Sequence, residues 1–154
     1  MLQLFLFLHI LGAIVAFGFG FYAPIFGMMS AKEPQHGNWY MRSAQRLSNV
    51  VIVPVAISMF ITGTLLVVET GGMRRFEELW LTLSLILYVI ALLVVFLLQR
   101  PTLNRLIAAT SQPPGPEGPP AGLADDVRKM QLYGVILLIL VTSIVALMVW
   151  KPLL

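Results

Sequence analysis

Four long stretches of the chain contain no Asp, Glu, Lys or Arg, and each is long enough to cross a lipid bilayer. They are Leu2–Met29, Leu47–Val68, Leu79–Gln99 and Gln131–Trp150. A transmembrane helix needs about 20 mostly apolar residues. A spanning segment must also satisfy its own backbone hydrogen bonds, and a run of this length does so as a helix. The sequence therefore predicts an all-α fold, a bundle of four transmembrane helices.

The composition leaves little room for anything else. Of the 154 residues, 58% are hydrophobic and 11% are charged, whereas soluble domains carry about 25% charged residues. The four stretches use more than half the chain, so we expect one integral membrane domain over residues 1–154. The first stretch lacks a basic leader and exceeds the apolar core of a signal peptide, so we expect it to be retained. The absence of cysteine excludes disulfides, iron–sulfur clusters, thiolate zinc sites and c-type haem attachment.

Basic residues are distributed unevenly between the two ends of the predicted bundle. Seven lie in the first and third connections: Lys32, Arg42, Arg46, Arg100, Arg105, Arg128 and Lys129. Three lie at the other end: Arg74, Arg75 and Lys151. Connections rich in Lys and Arg stay in the cytoplasm. We therefore expect both termini outside, and the first and third connections on the cytoplasmic side of a bacterial inner membrane.

The connections carry local structural signals of their own. Asn38 is a candidate N-cap for a short helix leading into the second stretch. Residues 101–110 read as an amphipathic continuation of the third helix, and the Pro- and Gly-rich residues 111–122 as extended or disordered. Asp125 and Asp126 suit the positive end of the fourth helix. The short second connection predicts that the second and third helices are antiparallel neighbours.

Pro24 and Pro54 lie inside the first and second apolar stretches. Each removes one helical hydrogen bond and exposes the carbonyl four residues earlier, at Gly20 and Val50. Two interpretations stay open: a kink that serves packing, or a hinge or cation-binding carbonyl.

His9 is the one side chain within the four stretches that titrates near neutral pH, and an ionisable group in lipid is a candidate site. Residues on the other helices at its depth are Thr62, Ser84, Thr142 and Ser143. Three interpretations follow: a neutral histidine bonded to such a hydroxyl or to a carbonyl, a haem or metal ligand, or a proton or substrate site.

A haem b needs a second axial ligand. The other histidine, His36, lies near the opposite membrane face, more than about 20 Å away by helix rise, so the two cannot hold one iron within one chain. Met148, near the outer end of the fourth helix, is a candidate second ligand, and a residue of another subunit is the alternative.

Small residues recur along the first helix at spacings of three and four, on the face of His9. They are Ala13, Ala16, Gly20, Ala23 and Gly27. Small side chains let helices approach closely in lipid, so this stripe predicts a helix-packing seam.

A basic cluster marks the predicted cytoplasmic end: Arg42, Arg46, Arg100, Arg105, Arg128 and Lys129. Such clusters attract anionic lipid headgroups, and an acidic partner protein is the alternative. The charge density is too low to indicate nucleic acid. No nucleophile–base pair, phosphate loop or clustered metal-ligand motif is present, so the sequence leans away from an enzyme and predicts no protein metal centre.

Three segments carry a family resemblance: LFLHILGAIVAFGFGFY, RLSNVVIVPVAISMFITGTLLVV and LYVIALLVVFLLQRPTLNRL. The chain resembles a bacterial family of predicted integral membrane proteins of unknown function. The LHILGA start is also distantly similar to the copper-resistance D and membrane-bound protoporphyrinogen oxidase families, in which a first-helix histidine is associated with metal or haem. Only His9 matches those families. The resemblance implies a four-helix membrane protein and no known reaction.

These observations favour a small non-catalytic membrane subunit that packs against itself or a larger respiratory or photosynthetic complex. A redox protein holding haem b or a metal through His9 is the alternative, and a small transporter or channel is a third hypothesis.

Overall fold

The computed structural model describes residues 1–71, 78–111 and 121–151, and its regular elements in these ranges are all helices. The first helix, α1, spans Leu2–Lys32 and is followed by a 3-10 turn at Pro34–His36. The remaining helices are α2 (Gly37–Leu47), α3 (Val53–Thr70), α4 (Leu79–Leu93), α5 (Arg100–Ala109) and α6 (Leu123–Trp150). A π turn at Ser48–Ile52 joins α2 to α3, and another at Val94–Gln99 joins α4 to α5.

Four helical segments are long and apolar enough to cross a membrane: one in α1, the continuous Gly37–Thr70, the continuous Leu79–Ala109, and α6. The prediction of an all-α fold with four membrane-crossing helices is confirmed. The end of an apolar run is not a helix end. Gly37–Thr70 begins ten residues before its predicted apolar run, and Leu79–Ala109 ends ten residues after its own.

Each π turn stands directly before a proline. The Val53 N–H donates to the carbonyl of Ser48, five residues back, and Pro54 follows. The Arg100 N–H donates to Val95 in the same way, and Pro101 follows. Proline lacks an N–H and its ring crowds the carbonyl four residues earlier, so a wider turn accommodates it. The same local chemistry thus shapes both long helices.

The bundle is built from close helix pairs. α1 packs against α3 and α6, and α6 packs against α4. The helices α3 and α4 are bridged by Tyr88, whose hydroxyl donates to the carbonyl of Ala56 at 2.7 Å. The Tyr88 ring also stacks on Phe60, with ring centroids 6.3 Å apart. The predicted adjacency of these two helices is therefore made by large side chains rather than by close backbone packing.

Beyond the apolar runs, α2 and α5 lie side by side and are joined by hydrogen bonds that we call the polar ladder. The ladder pairs Asn38 with Ile107 and Thr110, Gln45 with Asn104, and Asn49 with Arg100. Partner numbers fall on one helix as they rise on the other, as antiparallel helices require. At 1.5 Å per residue, α2 and α5 extend the bundle by roughly 15 Å.

Two of the most completely buried side chains belong to this extension. Thr102 and Leu106 of α5 are 2% and 3% exposed. Within the apolar runs the described buried side chains are Thr62, Ser84 and Val94, while α6 has no buried residue. Two of the five buried side chains in the described ranges thus lie in one helix of ten residues, α5.

The start of α6 agrees with the expectation from sequence. Gly122 precedes it with φ of +84°, a left-handed conformation that glycine adopts without strain. Asp125 and Asp126 lie in the first turn, where carboxylates favour the helix dipole.

Two other expectations have different outcomes. The prediction that Asn38 caps α2 is wrong, because α2 begins at Gly37 after His36, and the Asn38 amide donates across to α5 instead. The predicted extended or disordered segment falls largely on residues 112–120, which lie outside the described residues.

Candidate functional site

The intramembrane histidine lies in the seam between α1 and α3. His9 Nδ1 is 3.1 Å from Oγ1 of Thr62. The imidazole is half-buried and Thr62 is 7% exposed. The structure thus brings together two residues that the depth argument places at one level.

Two glycines let the helices come this close. A Cβ atom at Gly63 would lie 3.2 Å from Cε1 of His9, and one at Gly12 would lie 2.6 Å from Cγ of Met59. Each glycine faces a large side chain of the opposite helix. Neither belongs to the predicted small-residue stripe. The signal that could have found them is a glycine close in sequence to each polar residue of the pair: Gly12 lies three residues after His9, and Gly63 directly follows Thr62.

Hydrogen-bond arithmetic assigns the proton in the His9–Thr62 contact. The Thr62 hydroxyl has one hydrogen, and its shorter contact, 2.8 Å, is to the carbonyl of Ser58. The hydroxyl therefore donates to Ser58 and accepts from His9, which places the hydrogen of a neutral imidazole on Nδ1. The Nε2 atom keeps its lone pair, so it can accept a hydrogen bond or ligate a metal.

The other hydroxyls predicted at this depth do not join His9. The Ser84 hydroxyl is buried and donates to the carbonyl of Trp80 on its own helix at 2.7 Å. Thr142 is exposed and Ser143 is half-buried on α6. Among the described residues, the side-chain hydrogen bond between helices at this level is the His9–Thr62 pair, and the Met59 backbone on α3 is a second polar partner of the imidazole.

Met148 lies half-buried near the end of α6. Within the described ranges, no three His, Cys, Asp or Glu side chains come together in a way that could hold a metal ion. The described chain thus offers His9 as a single nitrogen ligand.

The predicted small-residue stripe lies partly between α1 and α6. Ala13, Ala16 and Gly20 are half-buried, and a Cβ at Gly20 would lie 4.0 Å from Leu138. The surroundings of Ala23 and Gly27 are outside the described part of the chain. Gly20 is in ordinary contact distance of its neighbour, so the tightest approach of α1 is at Gly12.

The basic residues at the end of the bundle divide into those with and those without a partner among the described residues. Arg100 donates to Asn49 and lies 5.0 Å from the ring centroid of Phe96. Arg105 forms an ion pair with Asp126 at 3.1 Å. Arg42, Arg46 and Arg128 are exposed and have no hydrogen bond or ion pair among the described residues, whereas Arg105 and Lys129 are about equally exposed and both reach Asp126. Lys129 reaches Asp126 at 4.0 Å.

The Arg105–Asp126 ion pair shifts the pKa of both of its members. It joins α5 to α6 outside the apolar runs. The hydrogen bond from Arg105 lowers the pKa of the Asp126 carboxyl below its ordinary value, and the nearby Arg105 and Lys129 charges act in the same direction. The same bond raises the pKa of Arg105.

Taken together, four apolar helices, a polar ladder at one end and an intramembrane histidine define a helical integral membrane protein. The chain belongs to the family described as predicted integral membrane protein (DUF2269), whose model matches residues 3–152. No curated protein and no solved structure matches the chain. The distant similarities to copper-resistance D and protoporphyrinogen oxidase gain no support from these comparisons.

Proposed function

We propose that this protein is a non-catalytic subunit of a membrane assembly, packing in the bilayer against copies of itself or against a larger respiratory or photosynthetic complex. The observation that carries the proposal is the exposed apolar surface of α1, where Phe7, Ile10 and Ile14 are 61%, 51% and 63% exposed. Helix association in lipid depends on van der Waals packing and on close approach. A helix with so much free surface is suited to neighbours that complete its packing.

The chemical inventory points the same way. Among the described residues, the hydroxyls of Thr62, Thr64 and Ser84 each donate to a carbonyl of their own helix. None of these hydroxyls has a hydrogen left to donate to a permeating solute. The third hypothesis, a transporter or channel, is therefore less favoured, and absence of flux in reconstituted liposomes would count against it.

The assembly role is tested by the mass of the particle. The tagged chain is purified in mild detergent and in native-membrane nanodiscs, and its mass is measured by light scattering and native mass spectrometry. We expect a particle well above the 17.1 kDa of one chain, containing further copies or an identifiable partner. A lone monomer in both media contradicts the proposal.

A second candidate function is a haem- or metal-binding redox protein with His9 as ligand. The assigned Nδ1–H donor supports it, because ligating histidines usually donate their other ring N–H to a fixed partner. The second ligand would come from Met148 or from another subunit. An absorption spectrum and metal analysis of the wild-type protein and His9→Ala decide the matter: absence of both a Soret band and bound metal excludes this candidate.

We also propose that the polar ladder lies in the cytoplasm of a bacterial cell and that both termini lie outside. Support comes from the seven basic residues at that end against three at the other.

A further inference from the structure

The exposed basic residues of α6 stand directly above an exposed apolar surface. Arg128 and Lys129 precede the apolar run that begins at Gln131, so they lie at the level of lipid headgroups. Leu132, Val135 and Ile139 follow and are 56%, 52% and 61% exposed. At about 100° per residue, Arg128 and these three side chains fall within roughly 60° of one another around the helix.

A shallow cleft marks the charged end of this surface. It is lined by Asp125, Arg128, Lys129 and Leu132. Asp126 turns away from it toward Arg105. Lys129 also lies 4.0 Å from Asp126, so the count must include Asp126 and its partner Arg105. Three cations against two carboxylates leave one net positive charge at this end of α6, which complements a headgroup carrying one negative charge.

We propose that this surface binds an anionic glycerophospholipid, with its phosphate at Arg128 and Lys129 and an acyl chain along Leu132, Val135 and Ile139. The site is independent of the assembly role, because it needs only one chain and a bilayer.

Other basic residues at the same end lack this combination. Arg100 is engaged by Asn49. The guanidinium of Arg105 makes two hydrogen bonds with Asp126, whereas Lys129 approaches Asp126 only to 4.0 Å. Arg42 and Arg46 are exposed, but the π turn Ser48–Ile52 separates them from the apolar part of their helix and changes its facing direction. On α6 the helix is regular from the charges to the apolar residues, so one lipid can follow both.

The test is a titration of the delipidated full-length protein in neutral detergent with phosphatidylglycerol or phosphatidylcholine, read by native mass spectrometry. We expect phosphatidylglycerol to bind preferentially. Arg128→Gln and Lys129→Gln should each weaken its binding about fivefold, the effect of one interfacial charge. Leu132→Asn should weaken both lipids, because it interrupts the acyl surface.

Two matched controls carry the same charge change. Arg100→Gln removes an engaged arginine at the same end, and Lys151→Gln removes an exposed lysine at the other end; both should leave the preference unchanged. Helicity by circular dichroism verifies that each variant is folded. Equal affinity for the two lipids, or equal losses in the controls, overturns the proposal.

Two further ligands, soluble glycerophosphate and an acidic peptide, distinguish lipid binding from binding of a free phosphate or of an acidic protein. Soluble glycerophosphate shares the phosphate but has no acyl chain, so it should bind far more weakly than the lipid. Equal binding would show that the apolar surface has no part in recognition. If Arg128→Gln and Lys129→Gln abolish binding of an acidic peptide but leave the phosphatidylglycerol preference intact, the surface binds an acidic protein and the lipid proposal is wrong.

Discussion

The hydroxyl of Thr62 contributes measurably to the position of His9 and to the stability of the fold. Thr62 fixes the ring of His9 by accepting from Nδ1, and its own hydrogen is used within α3. An inter-helix hydrogen bond in lipid contributes about 0.6 kcal/mol on average and at most about 1.7, since the unfolded chain in the membrane also finds partners. The contact orients the histidine more than it stabilises the fold.

Thr62→Val removes this acceptor while nearly keeping the shape of the side chain. We expect the free energy of unfolding to fall by about 0.6 to 1.7 kcal/mol, because the Nδ1–H loses its partner. The measurement is unfolding of the purified protein in mixed micelles. Thr64→Val is the matched control: Thr64 is exposed and donates only to Phe60 on its own helix among described residues. Equal losses in both variants would show that the His9 contact contributes nothing.

The ion pair between α5 and α6 predicts an acid-sensitive component of stability. Since Arg105 lowers the pKa of folded Asp126, the pair stabilises the protein above the ordinary carboxyl pKa. This contribution is lost as the pH falls through the lowered value. Thermal unfolding is followed from neutral to acid pH. Asp126→Asn should remove this component, whereas Asp125→Asn, which changes the exposed neighbouring carboxylate, should retain it. Identical profiles for the two variants would contradict the assignment.

At the scale of elements, α1 and α3 are held together by close steric fit, whereas α2 and α5 are held together by hydrogen bonds between polar side chains. The first contact needs glycines at Gly12 and Gly63. The second depends on amide and hydroxyl side chains in antiparallel register. A larger side chain should therefore destabilise the α1–α3 contact, and loss of an amide should destabilise the α2–α5 contact.

Gly12→Leu should force α1 away from α3, because even a Cβ there would lie 2.6 Å from Met59. We expect destabilisation of about 1 to 3 kcal/mol, the usual cost of overpacking. Gly18→Leu is the control on the same helix, since a Cβ at Gly18 meets nothing within 4 Å. The same unfolding assay in mixed micelles compares them, and similar stabilities would place the tight contact elsewhere.

Asn38→Ala removes two hydrogen bonds to α5, at 2.9 and 3.0 Å. We expect a loss of about 1 to 3 kcal/mol, with faster amide hydrogen exchange in α2 than in α6. Gln35→Ala changes a nearby exposed amide and should leave exchange in α2 unaltered. Uniformly faster exchange through the whole chain would mean that the ladder is not a local unit.

Periodicity and hydropathy were enough to predict the fold class, since charge-free runs of this length leave few alternatives. They could not predict the polar ladder, although Asn38, Gln45 and Asn49 recur at spacings of seven and four along α2 and the π turn that follows it. An amphipathic segment near a membrane is equally consistent with a helix lying on the surface. Depth places Thr62, Ser84, Thr142 and Ser143 level with His9, and the choice of Thr62 among them follows only when the helices are placed. The role of Gly63 is likewise visible only then. Residues 101–109 do continue the third helix, but the π turn that accommodates Pro101 is a feature that the sequence does not indicate.

At the scale of the whole molecule, the bundle is asymmetric from end to end. One end has the polar ladder, the buried Thr102 and Leu106, and most of the basic residues. At the other end, Lys151 lies 5.6 Å from the ring centroid of Trp80, whose Nε1 donates to Glu78. The asymmetry makes the orientation in the membrane a property that can be measured directly.

The absence of cysteine makes this measurement clean. Ser111→Cys places a thiol beside the ladder, and Thr70→Cys places one at the opposite end; both positions are exposed. With a membrane-impermeant maleimide, we expect Thr70→Cys to react in intact spheroplasts and Ser111→Cys to react only after lysis, since basic connections stay inside. The reverse pattern would invert the proposed topology.

The sequence separation within the ladder also sets an order of events during synthesis. Asn38 bonds to Ile107 and Thr110, so these bonds cannot form until about 70 further residues have been translated. At about 5 to 20 residues per second this takes roughly 4 to 14 s. During that interval α3 and α4 are synthesised, while the amides of Asn38 and Gln45 wait without their ladder partners.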